Sequence, residues 1–217
     1  MLEAQKAVRA AVKAVLVEPV PELFDQLSRN YAHIPGVFLE KLAIAESTDS
    51  KMFYGLRSGI DLAAHGLPPW SYQLGSFYPH QTESYLVMHP HDLKLKAFVE
   101  KNIVKTEVPC EPLSLLCARH RLKHVDLLQV DTEGYDYRVL QTLDFNKVLP
   151  RYINYERIHL KGEESACRRF LGKQGYVLMD HGQDTLAAWR SKIPFPVKLK
   201  EWAYCGWLDW IWSPTAK

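Results

Sequence analysis

The chain has 217 residues, of which 47% are hydrophobic and 24% charged, and its net charge at pH 7 is +2. This composition is typical of one globular domain with a sizeable core, and the slight charge excludes a basic field of the kind that binds nucleic acid. No apolar run reaches the roughly 18 residues of a membrane span, and the four cysteines form no CxxC pair, so we expect a cytoplasmic protein with free thiols.

Strand-like and helical patterns alternate along the chain. The alternation predicts an α/β fold with a mostly parallel sheet, which the last two strands close as an antiparallel hairpin. The predicted helices cover residues 2–12, 21–31, 91–102, 112–122, 135–143 and 162–175. The predicted strands cover residues 14–17, 36–46, 51–56, 103–110, 125–130, 151–160, 176–180 and 184–190.

Residues 58–90 have no sustained period and are rich in Gly, Pro, Ser and aromatic residues. A loop of this length in a compact domain is usually functional. Trp70, Tyr72, Phe77 and Tyr78 offer flat apolar faces that stack on sugars or ring systems, which predicts a lid or acceptor site. The alternative is that these rings cover the end of the sheet as a satellite core.

Acidic residues follow two of the predicted strands, where ligands bind in doubly wound sheets. Glu18 ends the first strand, where one carboxylate could accept hydrogen bonds from both ribose hydroxyls of a nucleoside cofactor; the alternative is a solvated loop acid. Asp131 and Glu133 follow the strand over residues 125–130, and Gly134 allows a tight turn. The alternative is that Thr132 or Asp131 caps the next helix and Glu133 complements its dipole.

Glu156 and His159 occupy the corresponding exit of the next strand. A neutral imidazole near a substrate hydroxyl would be a general base, and the alternative is a hydrogen-bonded structural histidine. The sequences HPH at 89–91 and HRLKH at 120–124 suggest metal ligands, but no third ligand is placed by the sequence. We therefore predict no metal site.

The segments LLQVDTEGYDYRVLQTLDF, PRYINYERIHL and GKQGYVLMDHGQDTLAAW, with VLVEPVPELFDQLSRNY, LEKLAIAE and QLGSFYPH upstream, occur in this order. Together they resemble the FkbM family of S-adenosylmethionine-dependent methyltransferases over roughly residues 12–190. The D-x-E-G element is the most specific part. The resemblance implies a Rossmann-like class I methyltransferase domain over residues 1–190, followed by a tail over 191–217, and methyl transfer to a hydroxyl of a small molecule or sugar.

The resemblance also assigns roles to the candidate residues. Glu18 would hold the ribose of S-adenosylmethionine, and Ala43 and Ile44 would line the adenine site. Asp131 and Glu133 would face the methionine end of the cofactor and the substrate. Either Asp131 or His159 would be the base, with Glu133 orienting, and Trp70, Tyr72, Phe77 and Glu156 would contact the acceptor.

One family feature is missing from the chain. Family members begin with a strand and a glycine-rich loop of the D-x-G-A-N-x-G kind, whereas no G-x-G occurs anywhere in this sequence. We therefore expect the first strand, between those that carry Glu18 and Asp131, to be absent. Truncation, a sheet closed without the strand, and a strand supplied by a partner are three open explanations. A catalytically inactive binding module is accordingly the alternative to an active enzyme.

The tail is unusually aromatic. Pro194 and Pro196 lead the chain away from the last strand, and the large apolar side chains that follow are Trp202, Tyr204, Trp207, Leu208, Trp210, Ile211 and Trp212. Exposed patches of that size mark interfaces. We expect this tail to pack on its own domain or to form a homodimer; a membrane surface is the third alternative, disfavoured by the slight basic charge.

Overall fold

The computed structural model describes residues 13–78 and 93–192, in which strands and helices alternate as predicted. The strands are β1 (Ala14–Val17), β2 (Val37–Glu40), β3 (Ala43–Ile44), β4 (Ser50–Leu56), β5 (Ile103–Glu111), β6 (Leu127–Val130), β7 (Tyr152–Glu156), β8 (Tyr176–His181) and β9 (Asp184–Trp189). The α-helices are α1 (Pro21–Tyr31), α2 (Leu93–Asn102), α3 (Leu113–Arg119), α4 (Asp136–Gln141) and α5 (Glu164–Lys173). None of the described helices is long and apolar enough to cross a membrane.

Three predicted features lie outside the described residues. They are the helix over residues 2–12, the HPH sequence at 89–91 and all but the first two residues of the tail over 191–217. A homodimer through the aromatic tail therefore stays a prediction, as does the division of the chain into a domain and a tail.

The described strands form three sheets in which parallel and antiparallel pairings are mixed. β1 pairs with β2, β5 lies between β3 and β4, and the third sheet has the order β6–β7–β9–β8. The pairs β1–β2, β3–β5 and β6–β7 are parallel, whereas β4–β5, β7–β9 and β8–β9 are antiparallel. The α/β class and the closing hairpin are confirmed. A mostly parallel sheet is not, because β4 and the hairpin add antiparallel pairings.

The strands that lead into Glu18 and Asp131 each have one partner among the described residues. β1 pairs with β2, and β6 pairs with β7. Leu127 of β6 is 42% exposed, although it belongs to the largest sheet. No strand lies between β1 and β6 among the described residues. The three explanations for a missing strand (truncation, a sheet closed without it, and a strand supplied by a partner) stay open.

Residues 36–46, predicted as one strand, form two. β2 ends at Glu40 and belongs to the first sheet, whereas β3 joins the second sheet through the register Ala43↔Cys110. Ala45 continues this pairing, since its N–H donates to the carbonyl of Glu111 at 3.0 Å. Small side chains suit this segment, because Ala43 and Ala45 are both buried in the main core.

The main hydrophobic core draws on strands of the second and third sheets and on α3, α4 and α5. Its largest fully buried apolar or aromatic side chains are Leu140, Ile153, Tyr155, Leu171 and Val108. A second, smaller core lies under the described part of the predicted loop. Its buried members are Leu56, Leu62, Leu67, Leu74, Leu95 and Val99. The segment that carries Trp70 and Tyr72 is therefore packed on a core of its own.

A network of ion pairs joins the first sheet to β5 and α3. Arg119 Nη2 lies 2.9 Å from Glu40 Oε2 and 2.7 Å from Glu111 Oε1. His120 Nε2 lies 2.5 Å from the other oxygen of Glu40. Carboxylates that are largely buried need such charge-assisted partners, so the network holds the end of β2 against the C-terminal part of β5.

We expect Leu140→Ala to lower the free energy of unfolding by about 3 kcal/mol, because it opens a cavity in the packed core. Leu140 of α4 is 0% exposed, whereas Leu115 of α3 is 49% exposed. Leu115→Ala is thus the matched control, with an expected loss of about 0.5 kcal/mol. Urea denaturation followed by circular dichroism measures both; equal losses would contradict this description of the core.

Candidate active site

The turn after β6 has a left-handed backbone. β6 ends at Val130, after which Glu133 (φ +52°) and Gly134 (φ +93°) take successive positive φ values. Glycine adopts this region freely, but a side chain such as that of Glu133 costs about 1–2 kcal/mol there and must be held by its surroundings. The turn brings Asp131 and Glu133 to the C-terminal edge of the sheet.

Asp136, the first residue of α4, fixes this turn to β7. Its carboxylate is fully buried; Oδ2 accepts hydrogen bonds from the hydroxyl (2.8 Å) and the N–H (3.3 Å) of Thr132, and Oδ1 accepts one from the N–H of Glu156 (3.1 Å). Burial raises the pKa of Asp136 to about 6. The hydrogen bond from Thr132 opposes this rise, and the negative charge of Glu156 adds to it. Tyr135 occupies the N-cap position of α4 without a side-chain cap, so the capping alternative does not describe Thr132 or Asp131.

His159 lies between two glutamates. Its Nδ1 is 3.0 Å from Glu133 Oε2 and 2.7 Å from Glu156 Oε2. The close contacts with the carboxylates of Glu133 and Glu156 raise the pKa of His159 to about 10, although burial opposes the shift. The imidazole is therefore protonated at neutral pH. It neutralises part of the charge of the two carboxylates and has no free electron pair with which to take a proton.

Asp131 is a carboxylate of this region that titrates near neutral pH and, unlike the fully buried Asp136, is accessible. Desolvation, followed by the negative charges of Glu156, Asp136 and Glu133, raises the pKa of Asp131 to about 7. Its side chain nevertheless reaches solvent. An acid that is accessible and half-ionised near pH 7 can exchange protons with a bound molecule.

Glu133, Glu156 and His159 also have the spacing of a metal site. Each offers one ligand atom, and these atoms lie within 4.8 Å of one another. A metal bound there would have to displace the proton that the two carboxylates hold on the His159 imidazole, so its affinity would fall as the pH decreases. The absence of a metal site stays a prediction.

A family model described as the methyltransferase FkbM domain matches residues 3–178, which is most of the chain. The chain belongs to the FkbM methyltransferase family. Comparisons with curated proteins and with solved structures find no match. The resemblance carried by the D-x-E-G element and its flanking segments is thereby confirmed, and S-adenosylmethionine is the usual methyl donor in such a family.

Within this FkbM domain, Glu18 has the features of an acceptor for ribose hydroxyls. It follows β1, where its Oε1 accepts a hydrogen bond from the N–H of Val20 at 2.8 Å. Its Oε2 has no hydrogen-bond partner among the described residues, and burial raises the pKa of this carboxyl. A ligand hydroxyl would satisfy that oxygen, so the chemistry at Glu18 fits the ribose of the cofactor.

Ala43 and Ile44, the predicted adenine-site residues, form β3 of the FkbM domain. Ala43 belongs to the main core, and Ile44 is partly buried against it. Their backbone groups pair with β5. Their contact with a cofactor stays a prediction.

The aromatic segment of the FkbM domain divides into two parts. Tyr72 packs on the smaller core and donates its hydroxyl to the carbonyl of Ile60, while Trp70 is 44% exposed. Phe77 and Tyr78 instead contact Tyr135, with ring centroids 4.8 Å and 5.7 Å apart. The structure therefore brings Phe77 to the turn that carries Glu133, whereas Tyr72 packs on the smaller core.

Two polar residues beside the turn were not predicted from the sequence. Glu46 accepts a hydrogen bond from the Tyr135 hydroxyl at 2.5 Å and forms an ion pair with Lys51 at 2.7 Å. Desolvation opposes ionisation of Glu46, but the bonds from Lys51 and Tyr135 lower its pKa to about 2. The pair is separated from Tyr135 by more than 80 residues, and no local pattern connects them.

We expect Asp131→Asn to stabilise the fold at alkaline pH. Folding raises the pKa of this acid from 3.8 to about 7, so the cost of its charge is absent below pH 3.8, grows up to pH 7 and is complete above it. Because the side chain is exposed to solvent, we expect a gain of only about 1 kcal/mol at pH 8, and less at pH 5.

Asp126→Asn is the matched control, because Asp126 is an exposed acid at the start of the same strand. Urea denaturation at pH 5 and pH 8 measures both variants. A stabilisation by Asp131→Asn that is equal at the two pH values, or no stabilisation, would contradict the electrostatic description of the site.

Proposed function

We propose that this FkbM domain is an S-adenosylmethionine-dependent O-methyltransferase that acts on a hydroxyl of a small molecule or sugar. The observation that supports this most directly is that Asp131 follows β6 at the same sheet edge where β7 ends in Glu156, with His159 held between Glu133 and Glu156. The pKa of Asp131 is about 7, whereas that of the neighbouring His159 is about 10. Methyl transfer to a hydroxyl needs one group that accepts a proton near neutral pH, and Asp131 is that group.

The higher proton affinity of His159 favours Asp131 over His159 as the base. His159 already carries its proton at pH 7 and is oriented by Glu133 and Glu156, so it acts as a fixed positive charge and hydrogen-bond donor. Asp131 accepts the hydroxyl proton as the acceptor oxygen becomes nucleophilic. Glu133 and Glu156 then serve as positioning residues for the imidazolium, because they act through it.

When bound, S-adenosylmethionine supplies an electrophilic methyl group on a positively charged sulfonium. The excess of carboxylates around Asp131 favours a cationic group at this edge of the sheet. Glu18, which follows the strand β1, would accept hydrogen bonds from the ribose hydroxyls.

The acceptor is best matched by an uncharged polyhydroxy compound. Carboxylates accept hydrogen bonds from hydroxyl groups, whereas an acidic acceptor would be repelled by Asp131, Glu133 and Glu156. Phe77 and Tyr78 lie against the adjoining Tyr135 and would offer an apolar face to one side of a sugar ring.

Isothermal titration of the protein with S-adenosylmethionine and with its demethylated product tests the cofactor assignment. We expect binding of both, and at least tenfold weaker binding by Glu18→Ala, because the ribose hydroxyls lose a charged acceptor. Binding that requires an added upstream strand and glycine-rich loop would assign the cofactor site to the longer domain. Absence of binding in both forms would favour the inactive binding module.

We expect Asp131→Asn to lower the rate of methyl transfer to a neutral alcohol by a factor of about 10² to 10⁴, because it removes the proton acceptor. In the unaltered protein the rate rises as pH increases through about 7, where the Asp131 carboxylate forms. Chromatographic detection of the demethylated cofactor measures the rate. Asp126→Asn is the control, and a pH profile that is flat between pH 6 and 8 would contradict Asp131 as the base.

A further inference from the structure

Tyr135 connects the turn after β6 to a polar cluster from a distant part of the chain. Its hydroxyl donates to Glu46 Oε2 at 2.5 Å, and the same oxygen is 2.7 Å from Lys51 Nζ. The Lys51 ammonium also lies 5.8 Å from the centre of the Phe77 ring and 5.9 Å from that of Tyr135. Tyr135 itself is buried, so its hydroxyl needs this acceptor.

The same turn holds Glu133 in a backbone conformation that side chains other than Gly rarely adopt. Two sets of contacts oppose relaxation of the turn. On one side, Thr132 is bonded to the buried Asp136. On the other, the Ser76 hydroxyl donates to the Glu133 carbonyl at 3.3 Å, and Tyr135 is bonded to Glu46. Glu46 and Ser76, which make the second set of contacts, belong to the part of the chain around β4. This strand pairs with β5.

We propose that Tyr135, anchored by Glu46 and Lys51, is a positioning residue that holds the Glu133 carboxylate against His159. The hydroxyl of Tyr135 fixes the chain two residues after Glu133, where a shift of the turn would move the carboxylate out of its 3.0 Å contact with His159 Nδ1. The part of Tyr135 in catalysis rests on the proposed function, because only that function gives a role to the oriented imidazolium of His159. The contact itself can be tested without methyl transfer.

The proton affinity of His159 reports where Glu133 lies. Glu133 and Glu156 are among the groups that face the imidazole, and the charges of Asp131 and Asp136 lie close to Glu156. Glu156 is held separately by β7, where it pairs with Asp184 of β9. Displacement of Glu133 alone therefore lowers the pKa of His159 while the contact from Glu156 remains.

The test is an NMR pH titration of the His159 imidazole in the full chain, with His159→Gln used to assign its signals. The pKa of His159 in Glu133→Gln gives the size of the shift to expect when the contribution of Glu133 is lost, because this variant removes the negative charge without moving the backbone. Tyr135→Phe keeps the ring packed but removes the hydroxyl, and we expect it to lower the pKa of His159 by about 1 or more, toward the value in Glu133→Gln. Tyr137→Phe makes the same chemical change two residues further on, where the ring packs against Phe170, and should leave the titration unchanged.

Glu46→Ala removes the acceptor rather than the tyrosine. The Glu46 side chain is 47% exposed, so the variant keeps the core intact, and we expect it to lower the pKa of His159 in the same direction. The proposal is overturned if the pKa of His159 in both Tyr135→Phe and Glu46→Ala equals that in the unaltered protein. An unchanged pKa of His159 in Glu133→Gln would also overturn it. If the unaltered protein binds no cofactor, that result counts against the proposed function instead. Failure of the Tyr135 proposal and failure of the proposed function are therefore distinguishable.

Discussion

A single buried carboxylate, that of Asp136, holds the turn after β6 against the end of β7. Because it is removed from water, it must be hydrogen bonded, and its partners are Thr132 on one side and the N–H of Glu156 on the other. These bonds fix the separation between the turn that carries Glu133 and the end of β7 that carries Glu156. The contact of both glutamates with His159 follows from that separation, so the candidate site depends on a residue that is itself fully buried.

Several charges at this edge have the same sign and therefore do not stabilise the fold. Several carboxylates lie close together, and His159 provides the positive charge between two of them. Like charges in a desolvated place raise one another's proton affinity, and the effect falls on Asp131, which has no such cation beside it in the described contacts. One environment thus yields an imidazolium that keeps its proton and a carboxylate that exchanges one near pH 7.

Much of the fold followed from local patterns. The apolar run before Asp131 formed β6, the Pro21 signal began α1, and the last two alternating segments formed a hairpin with the register Tyr176↔Trp189. The prediction was wrong where tertiary packing redirected the chain. Residues 36–46 form two strands because Ala43 pairs with β5 in another sheet, and the strand predicted to end at Leu160 stops at Glu156, before a 3-10 helix over Ile158–Glu163.

The sequence by itself determined the family, the α/β class and the acids that surface after β6 and β7, because hydrophobic period, turn residues and the D-x-E-G element are all local signals. Only the tertiary structure decided their contacts and their proton affinities. The proton affinities of Asp131 and His159 depend on groups on neighbouring strands, and Tyr135 meets Glu46 across 89 residues of chain. Electrostatic and hydrogen-bond partners are set by distances in space, and these exist only once the sheets have paired.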